Sequence, residues 1–274
     1  MTSEPLTLTM TTDEVLAVLQ VMGASTMNGL GEPLAGLSEH DQAARLNAGA
    51  ETLLNRGLCR IENDQLVMDD MMVAFVGASL IPDAVLLLSA LAPDQTSDPH
   101  YFNATQYLAV EHLSPRPGVH EFIHLASEEV LVNRLEMLLA AVAVDTARAA
   151  QPETWTIADP QLNEALQAIR ASQSDTAREI FAGCGLSGAQ LDELLGDLTG
   201  GTAWVAMAGW GLREPSPSGG SSMIIYIGQH RYWLFSPCQD APGDLLISNP
   251  DGKECMKTIM RLAAPLRELM RASS

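Results

Sequence analysis

Positive charge is scarce in this chain. Its 15 Lys and Arg residues stand against 34 Asp and Glu over 274 residues, a formal net charge of -19 and a pI near 4.5. A field of that sign repels phosphate and anionic headgroups, which excludes nucleic acid and membrane surfaces as expected partners. The acids are spread along the chain rather than gathered in a tail, as a solvated acidic surface requires. Paired cysteines are lacking too: Cys59, Cys184, Cys238 and Cys255 are far apart, with no C-x-x-C. That spacing supports neither a disulfide framework nor a zinc knuckle and fits free thiols in a reducing cytosol. Residues 1 to 12 hold no Lys, Arg or apolar segment, so no secretory signal and a cytoplasmic location are expected. The longest greasy region, Met71 to Leu91, is broken by Pro82-Asp83 and reads as two buried elements rather than a membrane span.

Nucleophile and phosphate motifs are also missing. There is no G-x-S-x-G, no Walker loop and no strand-linked G-x-G-x-x-G. Gly200-Gly201 and Gly219-Gly220 precede strands, without the helix N-terminus that holds a phosphate.

What is present is regular. With 47% hydrophobic and 18% charged residues, the chain has material for one large core or two linked ones. Thr12-Asp13-Glu14 opens a helix carrying Val15, Leu16, Val18, Leu19 and Met22, ended by Gly23. Asp41 to Arg56 forms a second, with Leu46, Ala50, Leu53 and Leu54 on one face and Gly57 behind it. A short hairpin turns at Asn63-Asp64, and a third helix runs from Asp69 to Leu80. Strand-length runs follow at "AVLLLSALA", "QYLAVEHLS" and "GVHEFIHLA", with a polar loop from Pro93 to Thr105 after the first. Ser127 with Glu128-Glu129 caps a helix whose inward residues are Val130, Leu131, Leu135, Leu138 and Val142.

After a linker at Gln151-Pro152 come helices over Leu162 to Ala171, over Asp175 to Phe181 and after Ser187. Then "TAWVAMAGWGL", "SSMIIYIGQHRYWLFSP" and "GDLLISNP" read as three strands, and a helix kinked or ended near Pro265 closes the chain. The halves match in order, with Gly57-Leu58 answered by Gly185-Leu186 and Ser114-Pro115 by Ser236-Pro237. The expectation is an internally duplicated, pseudo-twofold α+β fold with first repeat 1-150 and second repeat 151-274. Its six strands would form one mostly antiparallel sheet, or two three-stranded sheets joined edge to edge, with helices on one face.

One string has catalytic form: His120-Glu121-x-x-His124, an H-E-x-x-H. On a helix the two rings grip zinc while the glutamate activates water, the chemistry of a metallohydrolase. Pro117-Gly118 directly upstream and the alternation of "VHEFIHL" favour a strand instead, with both histidines on its polar face and about 13 Å apart. Asp69-Asp70 and Glu128-Glu129 fit as first-turn acids, and His40, His100, His112 and His230 are scattered. The candidates for binding are aromatic and apolar side chains on or beside the long loops: Tyr101 and Phe102 in the first half, Trp210 and Leu212 in the second.

The opening "LTLTMTTDEVLAVLQVMGA", the later "LLNRGL", the two-half layout, and "RYWLFSP" followed by "GDLLISNPDGKECMKTIMRLAAPL" together resemble the EspG family, cytosolic chaperones of type VII secretion. The resemblance covers nearly the whole chain as an order of elements. It implies a pseudo-twofold α+β fold that binds a helical-hairpin secretion substrate through its central sheet, nearby loops and C-terminal helices, without catalysis. The marked acidity and the loop compositions are this chain's own. The expected protein is a non-enzymatic binding module, monomer or homodimer, with no cofactor and another protein as its partner.

Overall fold

The computed structural model of the chain describes residues 5–92, 95–96, 99–139, 151–200, 202–213, 218–229, 231–238 and 240–272. Val142 and the rest of residues 140–150, Gly201 and His230 lie outside them.

Local chemistry sets the element boundaries. Strand β1 (Thr7–Thr11) runs straight into helix α1 (Thr12–Val21) through a capping box: Thr11 Oγ1 accepts from Glu14 N at 3.2 Å, and the Glu14 carboxylate accepts from Thr11 N at 2.6 Å. Helix α2 (Glu39–Asn55) is capped by Ser38 and ends at Gly57, φ +70°, where Leu58 N donates to Leu53 O. Strands β2 (Cys59–Glu62) and β3 (Gln65–Met68) form the expected hairpin, with Asn63 and Asp64 at φ 51° and 60° as its turn needs. Helix α3 (Asp70–Leu80) is capped by Asp69 and stops short of Pro82.

Strands β4 (Ala84–Ala92), β5 (Gln95–Thr96), β6 (His100–Ala104), β7 (Ala109–Arg116) and β8 (Val119–His124) precede helix α4 (Glu128–Leu138). The second half starts with β9 (Gln151–Ala158) and helices α5 (Asp159–Arg170), α6 (Ser174–Gly183) and α7 (Gly188–Gly200). The hydrogen bond that ends α2 recurs after α6, where Gly185 has φ +93° and Leu186 N donates to Phe181 O. Strands β10 (Thr202–Trp210), β11 (Gly219–Ile227), β12 (Tyr232–Pro237) and β13 (Asp244–Asn249) lead to helices α8 (Gly252–Leu262) and α9 (Ala264–Ala272), which meet just before Pro265.

All but the small hairpin join one antiparallel sheet in the order β1-β8-β7-β6-β4-β10-β11-β12-β13-β9, with β5 on β4. The order is the same counted outward from the β4–β10 pair in either direction. The sheet corrects the six strands expected. The polar start is β1, the Gln151-Pro152 linker opens β9, the loop holding Tyr101 and Phe102 contains β6, and "SSMIIYIGQHRYWLFSP" is two strands. Threonines, prolines and histidines masked these strands because edge and half-solvated strands carry polar residues on their outer positions.

Helices lie on both faces, not one. Alternate residues of the central strands, among them Leu86, Leu88, Phe102, Ala206, Ile225 and Leu234, pack under α4, α8 and α9. On the opposite face, Met10, Val110 and Phe122 pack under α1 to α3 at one end, and Ile157, Trp233, Phe235 and Ile247 under α5 to α7 at the other. The last helix crosses into the first half: α9 packs on β4, β6 and α4, buries Leu266 and Met270 beside Leu131 and Leu135, and sets Arg267 and Arg271 on Glu128. Among the described residues no helix is long and apolar enough to cross a membrane.

Candidate protein-docking face

Among the described residues, the two helical clusters on the outer face leave the middle of the sheet uncovered. Helix α3 packs on β6, β7 and β8, and α7 on β11, so β4 and β10 lie between them. In the register of that antiparallel pair, Val85 faces Gly209, Leu87 faces Met207 and Ser89 faces Val205. The rows continue sideways to Tyr101 and Asn103 on β6, and to Ser222 and Ile224 on β11. None of these side chains is charged, in a chain of net charge -19. Met207 is 43% exposed, while the residues on either side of it in the chain, Ala206 and Ala208, point to the other face and are 1% and 7% exposed.

The width of this strip is informative. From β7, under α3, to β11, under α7, there are four strand spacings, about 19 Å at 4.8 Å each. Two packed helices sit 8–10 Å apart, so a gap of about 19 Å between axes holds one further helix. The strip is a floor with two helical walls and an uncharged lining, the shape that receives a helix laid lengthwise.

One end of the strip opens into a cleft of about 430 Å³ lined by Asn28, Leu80, Ile81, Pro82, Leu212 and Arg213. Leu212 covers Gly209, its Cδ2 3.4 Å from where a Cβ would stand. Its backbone N–H donates to Asp83 O at 3.2 Å, and Arg213 donates to Ile81 O at 2.8 Å and pairs with Asp83 at 3.1 Å. These bonds fasten the connection after β10 to the one before β4. Ile81 itself is 56% exposed.

The structure separates the residues singled out from the sequence. Leu212 lines the cleft and Tyr101 the flank of the strip, where burial raises the Tyr101 phenol above its ordinary pKa. Trp210 is on the other face, its indole folded over Gly219 across the β10–β11 pair, between clefts of about 590 and 490 Å³ bounded by Pro265. Phe102 is a correction: it is 0% exposed in the core beneath α4, because strand alternation turns it opposite to Tyr101. Leu87, Val205 and Met207 are contributions the sequence reading missed. Strand alternation in "AVLLLSALA" and "TAWVAMAGW" sets Leu87, Val205 and Met207 on the face opposite Leu88 and Ala206, but which face stays uncovered is decided by the fold.

The H-E-x-x-H string is on β8, extended, so its histidines lie on one face four residues apart and Glu121 on the other. That face is not polar as expected. Phe122 is 0% exposed, His120 is 4% exposed, and His124 packs on Phe75 with ring centroids 6.0 Å apart. Among the described residues no three His, Cys, Asp or Glu side chains converge as metal ligands. On the other face Glu111, 0% exposed, accepts from Arg134 at 2.7 and 3.1 Å and pairs with His100 at 2.6 Å. Burial opposes its charge, but the bonds from His100 and Arg134 outweigh it and hold its pKa below the usual carboxylate value.

No known protein family matches the chain, and no curated protein does. Its fold is nevertheless similar to that of the Mycobacterium tuberculosis type VII secretion system chaperone EspG5, solved in complex with a PE25-PPE41 dimer. The two align with a TM-score of 0.63 over 95% of this chain and 97% of that one, at 11% identity. The α+β architecture with one large antiparallel sheet is thus similar to the fold of EspG5.

Proposed function

We propose that this chain is a non-enzymatic, EspG-like chaperone or adaptor that holds one apolar helix of a helical-hairpin partner in the uncovered strip over β4 and β10. The observation that carries it is the strip itself: uncharged side chains, exposed Met207, and room for a single helix between α3 and α7. The fold shared with a chaperone solved with a protein dimer supports the same reading. Tyr101 and Leu212 flank the bound helix, and Trp210 contacts the partner where it overhangs the C-terminal helices. The protein works in the cytoplasm, and its acidic surface keeps it soluble and away from nucleic acid. The halves descend from one duplicated unit, 1-150 and 151-274, which is why strand order repeats outward from the centre. A zinc hydrolase would need His120 and His124 on one ion, and an extended β8 holds them about 13 Å apart.

The test is a pull-down from native cytosol with the parent chain and with Leu87→Glu and Met207→Glu, which place a carboxylate on the strip floor. Tyr107→Ser is the control, since Tyr107 is 80% exposed outside the strip. The parent and Y107S recover a stoichiometric helical protein, and the two charged variants lose it by at least about a hundredfold in affinity. Equal recovery by all four, or light scattering that finds only a homodimer and no other partner, overturns the proposal.

A further inference from the structure

Beneath α1, two buried imidazoles form a chain of hydrogen bonds whose direction is fixed. The Asn28 carbonyl only accepts, so His112 Nδ1, 3.0 Å away, carries a hydrogen. In a neutral ring that leaves His112 Nε2 as acceptor, so His120 Nδ1 donates to it over 3.1 Å. His120 Nε2 then accepts from the Thr12 hydroxyl at 3.0 Å. The chain runs Thr12 to His120 to His112 to Asn28, joining the start of α1, strands β8 and β7, and the connection between α1 and α2.

That connection lies directly on the rings. Gly29, at φ +80°, passes so close that a Cβ there would stand 2.7 Å from Tyr101 Cε2 and 2.9 Å from His112 Cε1. His112 stacks on Phe122 at a centroid distance of 4.6 Å and on Tyr101 at 6.1 Å.

Among the described residues no counter-charge serves the pair. Asp13 and Glu14 on α1 are engaged by Arg45 and Arg56. Glu111 on β7 and Glu121 on β8 are on the opposite face, and His124 on β8 packs on Phe75 of α3. Glu32 in the connection and Asp70 at the start of α3 are exposed, and Tyr101 on β6 is a phenol with a raised pKa. Burial first, then repulsion from His120, lowers His112 to about 3, and burial lowers His120 as well. One proton can be accommodated by bonding, because the Thr12 hydroxyl can rotate to accept from His120 Nε2. It is still an uncompensated buried charge. A second proton sets N–H against N–H across the link between the rings and breaks it.

We infer that the Thr12–His120–His112–Asn28 chain is an acid-sensitive latch, whose protonation releases the connection between α1 and α2 from the sheet and reshapes the cleft lined by Asn28 and Leu212. The effect on docking rests on the function proposed above. The latch itself does not, and its test uses no partner, so the two fail separately.

Hydrogen exchange with mass spectrometry on the intact chain, at about pH 7 and about pH 5, reads the latch once protection is corrected for intrinsic rates. Peptides from the α1–α2 connection lose protection about tenfold per pH unit below about 6, while those from β10 to β13 keep theirs. His112→Phe with His120→Leu keeps the connection protected at both values. If that variant does not fold, ring-proton NMR of the parent decides: His112 and His120 titrate over the range in which the connection opens. Unchanged protection at the lower pH, loss in step with the whole first half, or histidine titration without opening each overturn the inference.

Discussion

Replacing Gly49 by alanine sets two effects against each other. Gly49 is inside α2, where alanine is favoured over glycine by about 1 kcal/mol. Helix α1 crosses at that point, however, and a Cβ would overlap the Asp13 carbonyl oxygen and come 3.0 Å from Glu14 N. Those are backbone atoms of a turn fixed by the Thr11 capping box and by the pairs Arg45–Asp13 and Arg56–Glu14. They cannot rotate aside, so the helices must part by on the order of 1 Å. Overpacking of this kind costs about 1–3 kcal/mol, and an immovable backbone puts it at the upper end, so the net loss is about 2 kcal/mol. Gly196 in α7 supplies the comparison, since a Cβ there meets nothing within 4 Å. Gly196→Ala therefore stabilises by about 0.5–1 kcal/mol. Urea unfolding followed by far-UV circular dichroism measures both. The four tryptophans, Trp155, Trp204, Trp210 and Trp233, are all in the second half, so fluorescence shows whether that half unfolds with the first. A Gly49→Ala variant as stable as the parent, with the same denaturant slope, refutes the crossing argument.

Two further outcomes follow from the buried titratable groups. His112 in the unfolded chain takes a proton below about 6.5, but in the folded chain only near 3, so its contribution is fully present above the higher value and declines as pH falls between the two. The slope is about 1.4 kcal/mol per pH unit, or about 2.7 kcal/mol lost by about pH 4.5. Equal urea midpoints at that pH and at neutrality would contradict it. Glu111, with its lowered pKa, contributes stability above its unfolded value that is lost as pH falls through the folded one. Glu111→Ala strands Arg134 and His100 under α4 and costs about 3–5 kcal/mol, and a loss below about 1 kcal/mol in the same assay would show that the pair is not needed.

The helices were legible in the sequence because their signals are local. Ser127 caps α4 as expected, Gly23, Gly57 and Gly185 terminate, and Pro265 follows the break between α8 and α9, while α2 starts two residues before Asp41 behind Ser38 and Asp69 is the cap of α3 rather than a residue of its first turn. The strands were legible where apolar residues run together or alternate between turn residues, as in "AVLLLSALA", "GVHEFIHLA" and "GDLLISNP". Strand β6 was hidden because His100, Tyr101 and Asn103 alternate with Phe102 and Ala104, and each polar member finds its partner only through the fold: His100 at Glu111, Asn103 at Ser79. The same non-local cause hid the docking strip. That Leu87 and Met207 are left uncovered depends on where α3 and α7 land, which no window of sequence records.

The crossing of α9 onto the first half has a consequence for how the chain is made. The layer over β4 and β6 is finished by Leu266 and Met270 of α9, which follows every strand of the sheet in the chain. An emerging polypeptide can form α1, α2 and α3 on their strands early, yet only α4 shelters the apolar undersides of Leu86, Leu88 and Phe102 until α9 has been made. The two halves therefore mature together once α9 has been made, and a ribosome that stalls before residue 260 leaves that layer half covered rather than a finished first half.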